Sequence, residues 1–160
     1  MDEATRWLNA LFLVIAANVA PWAAGRYLSG YWQAPLDGGA RFADGTRVLG
    51  DHKTWRGLFA GVLACALVAR LLHLPLLLGV AFGALSLAAD LASSFMKRRL
   101  GFAPGTEIPC LDQVPEALVP VLVLSHPLGL GLIESIAVAV AFLSLDLATM
   151  RFRHPKGGSS

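Results

Sequence analysis

Apolar residues in this chain fall in long runs, and nearly all ionisable residues sit in the short segments between them. About 20 consecutive apolar residues make a helix long enough to cross a bilayer. Trp7 to Leu28 meets that length, interrupted by Asn18 and Pro21. A polar segment rich in Gly and Asp follows from Ser29 to Arg56, and Gly57 to Leu72 is the second apolar run. His73 and Pro75 close it. Proline suits the first turn of a helix, so the third helix is predicted from Leu76 to Met96. Lys97 to Gln113 is a second polar segment. Pro115 opens a fourth run that breaks near Ser125-His126-Pro127, and Gly131 to Met150 is the fifth. Pro115 to Leu124 alone would reach only about 15 Å. A full pass therefore needs continuation to Leu130, the alternative being a short re-entrant helix.

Composition supports the membrane reading. Of 160 residues, 56% are hydrophobic and 15% charged, against about 25% charged in a soluble domain. The expected architecture is an all-α integral membrane protein with five transmembrane helices, forming one domain over 1–153 with a flexible tail over 154–160. The first apolar run is too long for a cleavable signal peptide. With five passes, both polar segments and the C-terminus share one side. That side collects Arg26, Arg41, Arg47, Lys53, Arg56, Lys97, Arg98, Arg99, Arg151, Arg153 and Lys156, leaving only Arg6 and Arg70 opposite. Basic residues favour the cytoplasm, which puts the N-terminus outside and the C-terminus and both polar loops inside, in the plasma membrane. A net charge of +2 without basic–aromatic interleaving argues against a nucleic-acid partner. Cys65 and Cys110 form neither a disulfide framework nor a metal knuckle, and read as packing residues or free thiols.

Chemistry enters with Asp90. The third helix ends Asp90-Leu-Ala-Ser-Ser94-Phe-Met-Lys97-Arg98-Arg99, and Asp90, Ser94, Lys97 and Arg98 share about 100° of helix face. Basic residues at a helix end commonly anchor it at the interface. A carboxylate two turns inside is costly and points to function. Asp112 stands just before Pro115, at the positive end of a helix dipole. Glu116 is four residues on, and with Asp90 the three carboxylates suit Mg²⁺, a hard cation that prefers oxygen ligands. N-capping by Asp112 is the competing explanation. The first polar segment carries Pro35-Leu-Asp37-Gly38-Gly39 and Gly50-Asp51-His52-Lys53-Thr54-Trp55-Arg56-Gly57. Glycines permit close approach to phosphate, and Lys and Arg supply charge. The spacing is not that of a P-loop. His126 reads as an interfacial turn residue. Glu134 and Asp146 lie in the fifth run, where pairing or packing roles weigh at least as much as function, although Asp146, near the cytoplasmic end, is placed to join the site.

Asp37-Gly38-Gly39-Ala40-Arg41 with Gly50 is similar to the signature of CDP-alcohol phosphotransferases, but it is one residue short. The aspartates needed downstream fall at Thr54 and Leu58, so that family is excluded. The combined segments instead resemble the CDP-archaeol synthase family, relatives of the CDP-diacylglycerol synthases. The resemblance runs through Asn18-Val-Ala-Pro21, Pro35-Leu-Asp37-x-Gly39, Gly50 to Gly57, Asp90 to Gly101, Pro104-Gly105 and Leu111-Asp112-Gln113. It implies a Mg²⁺-dependent CTP:lipid-phosphate cytidylyltransferase. Lys53, Asp90, Lys97 and Asp112 would be catalytic, and Gly50, Lys53, Thr54, Arg56, Ser94, Lys97, Arg98 and Gln113 would bind nucleotide and phosphate. Asn18, Pro21, Asp37 and Gly39 would hold the lipid phosphate or shape the loop, and Asp90, Asp112 and Glu116 the metal. The expected partners are CTP, a lipid phosphate and membrane lipids; a homodimer is left open. The family pattern continues Asp-Gln-x-Asp, whereas Pro115 stands here at the last position with Glu116 beside it. The metal set is complete only if Glu116 takes that place. A small transporter or channel would spread polar residues through the bilayer depth, and a non-catalytic nucleotide- or lipid-binding protein would give no reason to bury Asp90.

Overall fold

In the computed structural model, residues 2–28, 30–103, 106, 108 and 111–153 are described, the last four by their backbone course. The motif residues Pro104-Gly105, Cys110 and the 154–160 tail lie outside them. Six helices follow one another: α1 (Glu3–Tyr27), α2 (Trp55–Leu71), α3 (Leu76–Arg99), α4 (Gln113–Val123), α5 (Ser125–Leu128) and α6 (Leu132–Arg153).

The helix boundaries have local causes. Asp2 caps α1 by accepting from the Thr5 N–H, and Thr54 caps α2 by accepting from the Gly57 N–H, so both helices begin earlier than hydropathy alone places them. The turn after α2 uses His73 at φ 58° and leads into Pro75. α3 runs on through Lys97, Arg98 and Arg99, whose positive charge suits the negative end of the helix dipole. The fourth run divides. Pro127 has no N–H to give the Val123 carbonyl and its ring crowds that position, so α4 ends at Val123 and α5 is one short turn. Gly129 closes α5 at φ 69°, in the left-handed region that glycine occupies without strain.

Glu3–Tyr27, Leu76–Arg99 and Leu132–Thr149 are long and apolar enough to cross a membrane. α2, with 17 residues, and α4, with 11, fall short of the usual length. The buried core joins Leu13 and Val14 of α1, Cys65 and Ala69 of α2, Phe82 of α3, Val121 of α4 and Val138 and Phe142 of α6. Large apolar side chains also face outward, among them Leu63, Leu71, Leu77 and Ile133. A water-soluble protein would not display such a surface, whereas acyl chains accept it.

Two features set where the polar site lies. A Cβ on Gly79 would stand 2.4 Å from the Cys65 carbonyl oxygen, and one on Gly83 2.9 Å from Val62 Cα. Bare backbone therefore lets α2 and α3 touch along that stretch. Further along α3, Pro120 of α4 leaves the Glu116 carbonyl without its helical donor. The Ser86 hydroxyl donates to that oxygen at 2.8 Å. From Ser86 onward α3 presents polar groups inward, and the helices part around a cavity.

Candidate active site

The cavity has a volume of ≈ 1050 Å³ and is walled by α1, the first polar loop, the start of α2, α3, α4 and α6. Asn18, Pro21, Lys53, Thr54, Arg56, Asp90, Ser94, Lys97, Arg98, Asp112, Gln113 and Glu116 all line it. Residues scattered over almost a hundred positions thus meet in one place.

Two ammonium–carboxylate pairs dominate. Lys53 Nζ, from the loop, lies 2.5 Å from Asp90 Oδ2, two turns inside α3. Lys97 Nζ lies 2.6 Å from Asp112 Oδ1 and donates to the Thr106 carbonyl at 2.9 Å. Asp112 Oδ2 accepts from the Ile108 N–H, whereas Oδ1 is buried, faces Lys97 as a charge pair and accepts no aligned hydrogen bond. The N-capping alternative for Asp112 is not what forms: its side chain makes no cap bond to α4. Beside these pairs Arg98 is 4% exposed, yet its Nε and Nη1 have no hydrogen-bond partner. A buried guanidinium with free donors is a standing demand for an anion.

Other residues take structural parts. Thr54 spends its hydroxyl on the α2 cap. Arg56 Nη1 donates to the carbonyls of Leu28 and Tyr31 at 2.6 and 2.8 Å and so ties the end of α1 to the start of α2. Asn18 donates to the Val14 carbonyl, and Pro21 packs beside Gly57 and Gly61 where α1 crosses α2. Asp37, Gly39 and Gly50 do not line the cavity; they shape the loop. Burial works against the Asp37 carboxylate. The Arg47 guanidinium and the N–H groups of Leu49, Gly50 and Gly39 outweigh it, and hold the carboxyl well below the usual range. The Gly50 N–H is thereby spent on Asp37 rather than open to phosphate, at a φ of 106° that favours glycine.

Asp146 of α6 joins the wall and accepts from Gln113 Nε2 at 3.0 Å. It carries the same signal as Asp90, a carboxylate inside an apolar run, at a helix end where an interfacial role is equally natural. Arg99 is the residue that sequence reasoning passed over. Its place in a basic triplet reads as an interfacial anchor, and its partners Asp44 and Phe42 lie far away in sequence. Glu134 accepts from the Gly131 N–H at the start of α6, a capping role, and Cys65 is a buried free thiol. The oxygen donors Asp90, Asp112 and Glu116 have the chemistry a hard cation takes, and Glu116 is in electrostatic reach of both aspartates. Among the described residues no three acidic, histidine or cysteine side chains converge closely enough to hold a metal. A lysine stands at each aspartate instead.

An apolar helical bundle that encloses buried cations and carboxylates is a multi-pass membrane protein with an internal polar site. The family described as CarS-like: CDP-archaeol synthase matches residues 5–77 and 70–151, and the chain belongs to that family. A CDP-archaeol synthase of Hyperthermus butylicus is 34% identical over 148 residues, covering 89% of this chain and 83% of that one. Its counterpart in Aeropyrum pernix is 38% identical over 152 residues, with 88% and 83% covered. A solved structure, described as an intramembrane enzyme for archaeal membrane lipids biosynthesis, superposes with a TM-score of 0.72 at 33% identity. It covers 86% of this chain and 90% of the other.

Proposed function

We propose that this protein is a cytidylyltransferase that joins CTP to an archaetidic-acid-like or phosphatidic-acid-like lipid phosphate, forming a CDP-lipid and releasing pyrophosphate. One observation carries the reading. Arg98, buried and with unspent donors, lies in the same cavity as two lysines that can be drawn from their carboxylates by phosphate oxygens.

The chemistry places modest demands on the chain. A phosphate monoester has a second pKa near 6, so the lipid phosphate is already an oxyanion at neutral pH and needs no general base. Its oxygen attacks the α-phosphorus of CTP, a new P–O bond forms, and the bond to the β-phosphate oxygen breaks as pyrophosphate leaves. The obstacle is repulsion between two polyanions, which positioning and positive charge overcome. Arg98 offers a planar fork that suits phosphate, and Lys53 and Lys97 supply compact, mobile charges. Asp90, Asp112 and Glu116 do not converge on one point in this structure, so they would hold Mg²⁺ only if their side chains closed on one another as the lysines turn to phosphate. When bound, Mg²⁺ neutralises charge on the triphosphate. Glu116 supports this assignment despite Pro115, because the first turn of α4 brings its carboxylate to the cavity wall.

The topology that fits this reading has five passes, α4 and α5 together making the fourth, with the N-terminus outside. The cavity then opens to the cytoplasm, which supplies CTP, while Asn18, Val19 and Trp22 of α1 border it on the bilayer side. The test incubates purified protein with CTP, Mg²⁺ and a panel of ether-linked and ester-linked lipid phosphates and measures pyrophosphate. Release with one lipid class is expected, and none with any lipid would overturn the reading.

A further inference from the structure

Arg99, the last residue of α3, is not among the residues that line the cavity, and its side chain reaches over to the first polar loop. Its Nη1 pairs with Asp44 Oδ2 at 2.9 Å, and its Nη2 donates to the Thr46 hydroxyl at 2.5 Å and to the Arg47 carbonyl at 2.9 Å. Its guanidinium carbon lies 4.6 Å from the centre of the Phe42 ring and 5.0 Å from that of Phe95, and those rings meet edge to face. Asp44 and Thr46 are joined to each other by the Thr46 hydroxyl and N–H, so the arginine grips a turn that is already formed.

The placement on α3 gives this grip its meaning. Nine residues at 100° each put Arg99 about 180° around the helix from Asp90. Asp90 takes Lys53, at the end of the loop, while Arg99 takes Phe42, Asp44, Thr46 and Arg47, at its middle. The loop thus straddles α3, held at one side of the helix and delivering an ammonium to the other. Rigid links connect the two ends. Arg47 reaches Asp37 and Asp51, each at 2.7 Å, Asp37 accepts the N–H groups of Leu49 and Gly50, and the Lys53 carbonyl accepts from the Leu36 N–H at 2.7 Å.

We propose that Arg99 is a positioning residue, clamping the first polar loop across α3 so that Lys53 meets Asp90 in the cavity. Its activity arm rests on the functional reading above; its structural arm does not. The full-length protein in detergent is compared with Arg99→Gln, Arg99→Lys and, as a control at the far end of α2, Arg70→Gln. Protection of the Leu49 and Gly50 amides against hydrogen exchange is read directly, with the rate at which an amine-reactive ester labels Lys53. Arg99→Gln should lower protection about tenfold and speed Lys53 labelling by a similar factor, with Arg99→Lys in between because it keeps charge but loses the fork. Wild-type exchange and labelling in Arg99→Gln would overturn the proposal. Should Arg99→Gln fail to fold, Phe42→Leu and Asp44→Asn release the clamp from the loop side and are read the same way. The activity arm is a double-mutant cycle on kcat for CTP. In a Lys53→Met background Arg99→Gln should cost less than twofold further, whereas multiplying losses would mean that Arg99 acts apart from Lys53. Absence of CTP turnover in the wild type would sink the functional reading alone, and exchange and labelling would still decide the clamp.

Discussion

The two halves of α3 use small residues to opposite ends. In the first half, Gly79 and Gly83 remove side chains so that α2 can lie against bare backbone. In the second half, Ser93 and Ser94 are also small and buried, yet the helices separate there and the space fills with charge. Packing by dispersion alone demands contact everywhere. A carboxylate and a guanidinium at membrane depth demand partners and room, and loops and helix ends deliver these more readily than helix sides. The first half holds the bundle together and the second half spoils it locally, in the place where chemistry is possible.

The comparison breaks most sharply at Asp90. Asp90→Asn keeps shape and volume but gives up the charge that faces Lys53 and would face a metal. CTP-dependent pyrophosphate release should fall about 10³-fold, as should that of Asp112→Asn, with a small loss of Tm for Asp90→Asn and a larger one for Asp112→Asn, which strands the more buried Lys97 ammonium. Turnover within threefold of wild type in either variant would remove the metal assignment. Gly79→Ala reverses the outcome. A methyl group 2.4 Å from a carbonyl oxygen and 2.6 Å from Ala69 Cβ must push α2 and α3 apart. It should cost about 2–3 kcal/mol of stability, read as a lowered Tm in detergent, with turnover per folded molecule falling far less than in Asp90→Asn.

The two ion pairs refine the comparison within the polar half. Lys97 projects from the helix itself, is 9% exposed, and also bonds the Thr106 carbonyl, whereas Lys53 arrives on a loop and is 27% exposed. Removing one partner of a buried pair strands the other charge. Lys97→Met should therefore destabilise by about 2 kcal/mol, reduced from the fully buried case by partial solvation. Lys53→Met should cost about 1 kcal/mol or less. Equal shifts of Tm would show that the loop is as rigid a carrier as the helix.

Much of this was legible in the sequence because it depends on local pattern. Apolar run length located the long helices, and a carboxylate two turns inside a helix marked Asp90 as out of place. The cavity is lined by twelve of the fifteen named site residues, and by Asp146 as well. What stayed hidden depends on contacts distant in sequence. The Arg56 bonds to the Leu28 and Tyr31 carbonyls just past α1 and the Arg99 grip on Asp44 cannot be told from interfacial anchoring in a linear string. The glycines of the first loop suggest phosphate binding, yet Gly39 and Gly50 turn their N–H groups to Asp37. The break near Ser125-His126-Pro127 was legible, but whether the helix ends or merely bends there was not, because that depends on what packs beside the proline.

Asp37 gives the smallest and most selective effect. Its side chain is 2% exposed, and its carboxyl is held well below the usual carboxylate range by Arg47 and three backbone donors acting against burial. A group depressed in the folded state contributes stability that is fully present above its unfolded pKa, near 3.9, and is lost as pH falls through the folded value. Loop protection at Leu49 and Gly50 should therefore stay flat from pH 8 to about 5 and decline only below about 4. Asp37→Asn should lower protection throughout and flatten the acid limb, because the neutral amide no longer attracts Arg47 as an ion. The core amides of α2 and α3 around Cys65 and Phe82 carry no such carboxylate and should show no matching limb. If they lost protection together with Leu49 and Gly50, acid would be loosening the whole bundle. The loop would then not be a separately held element, and the division of α3 into a packing half and a charged half would fail at its boundary.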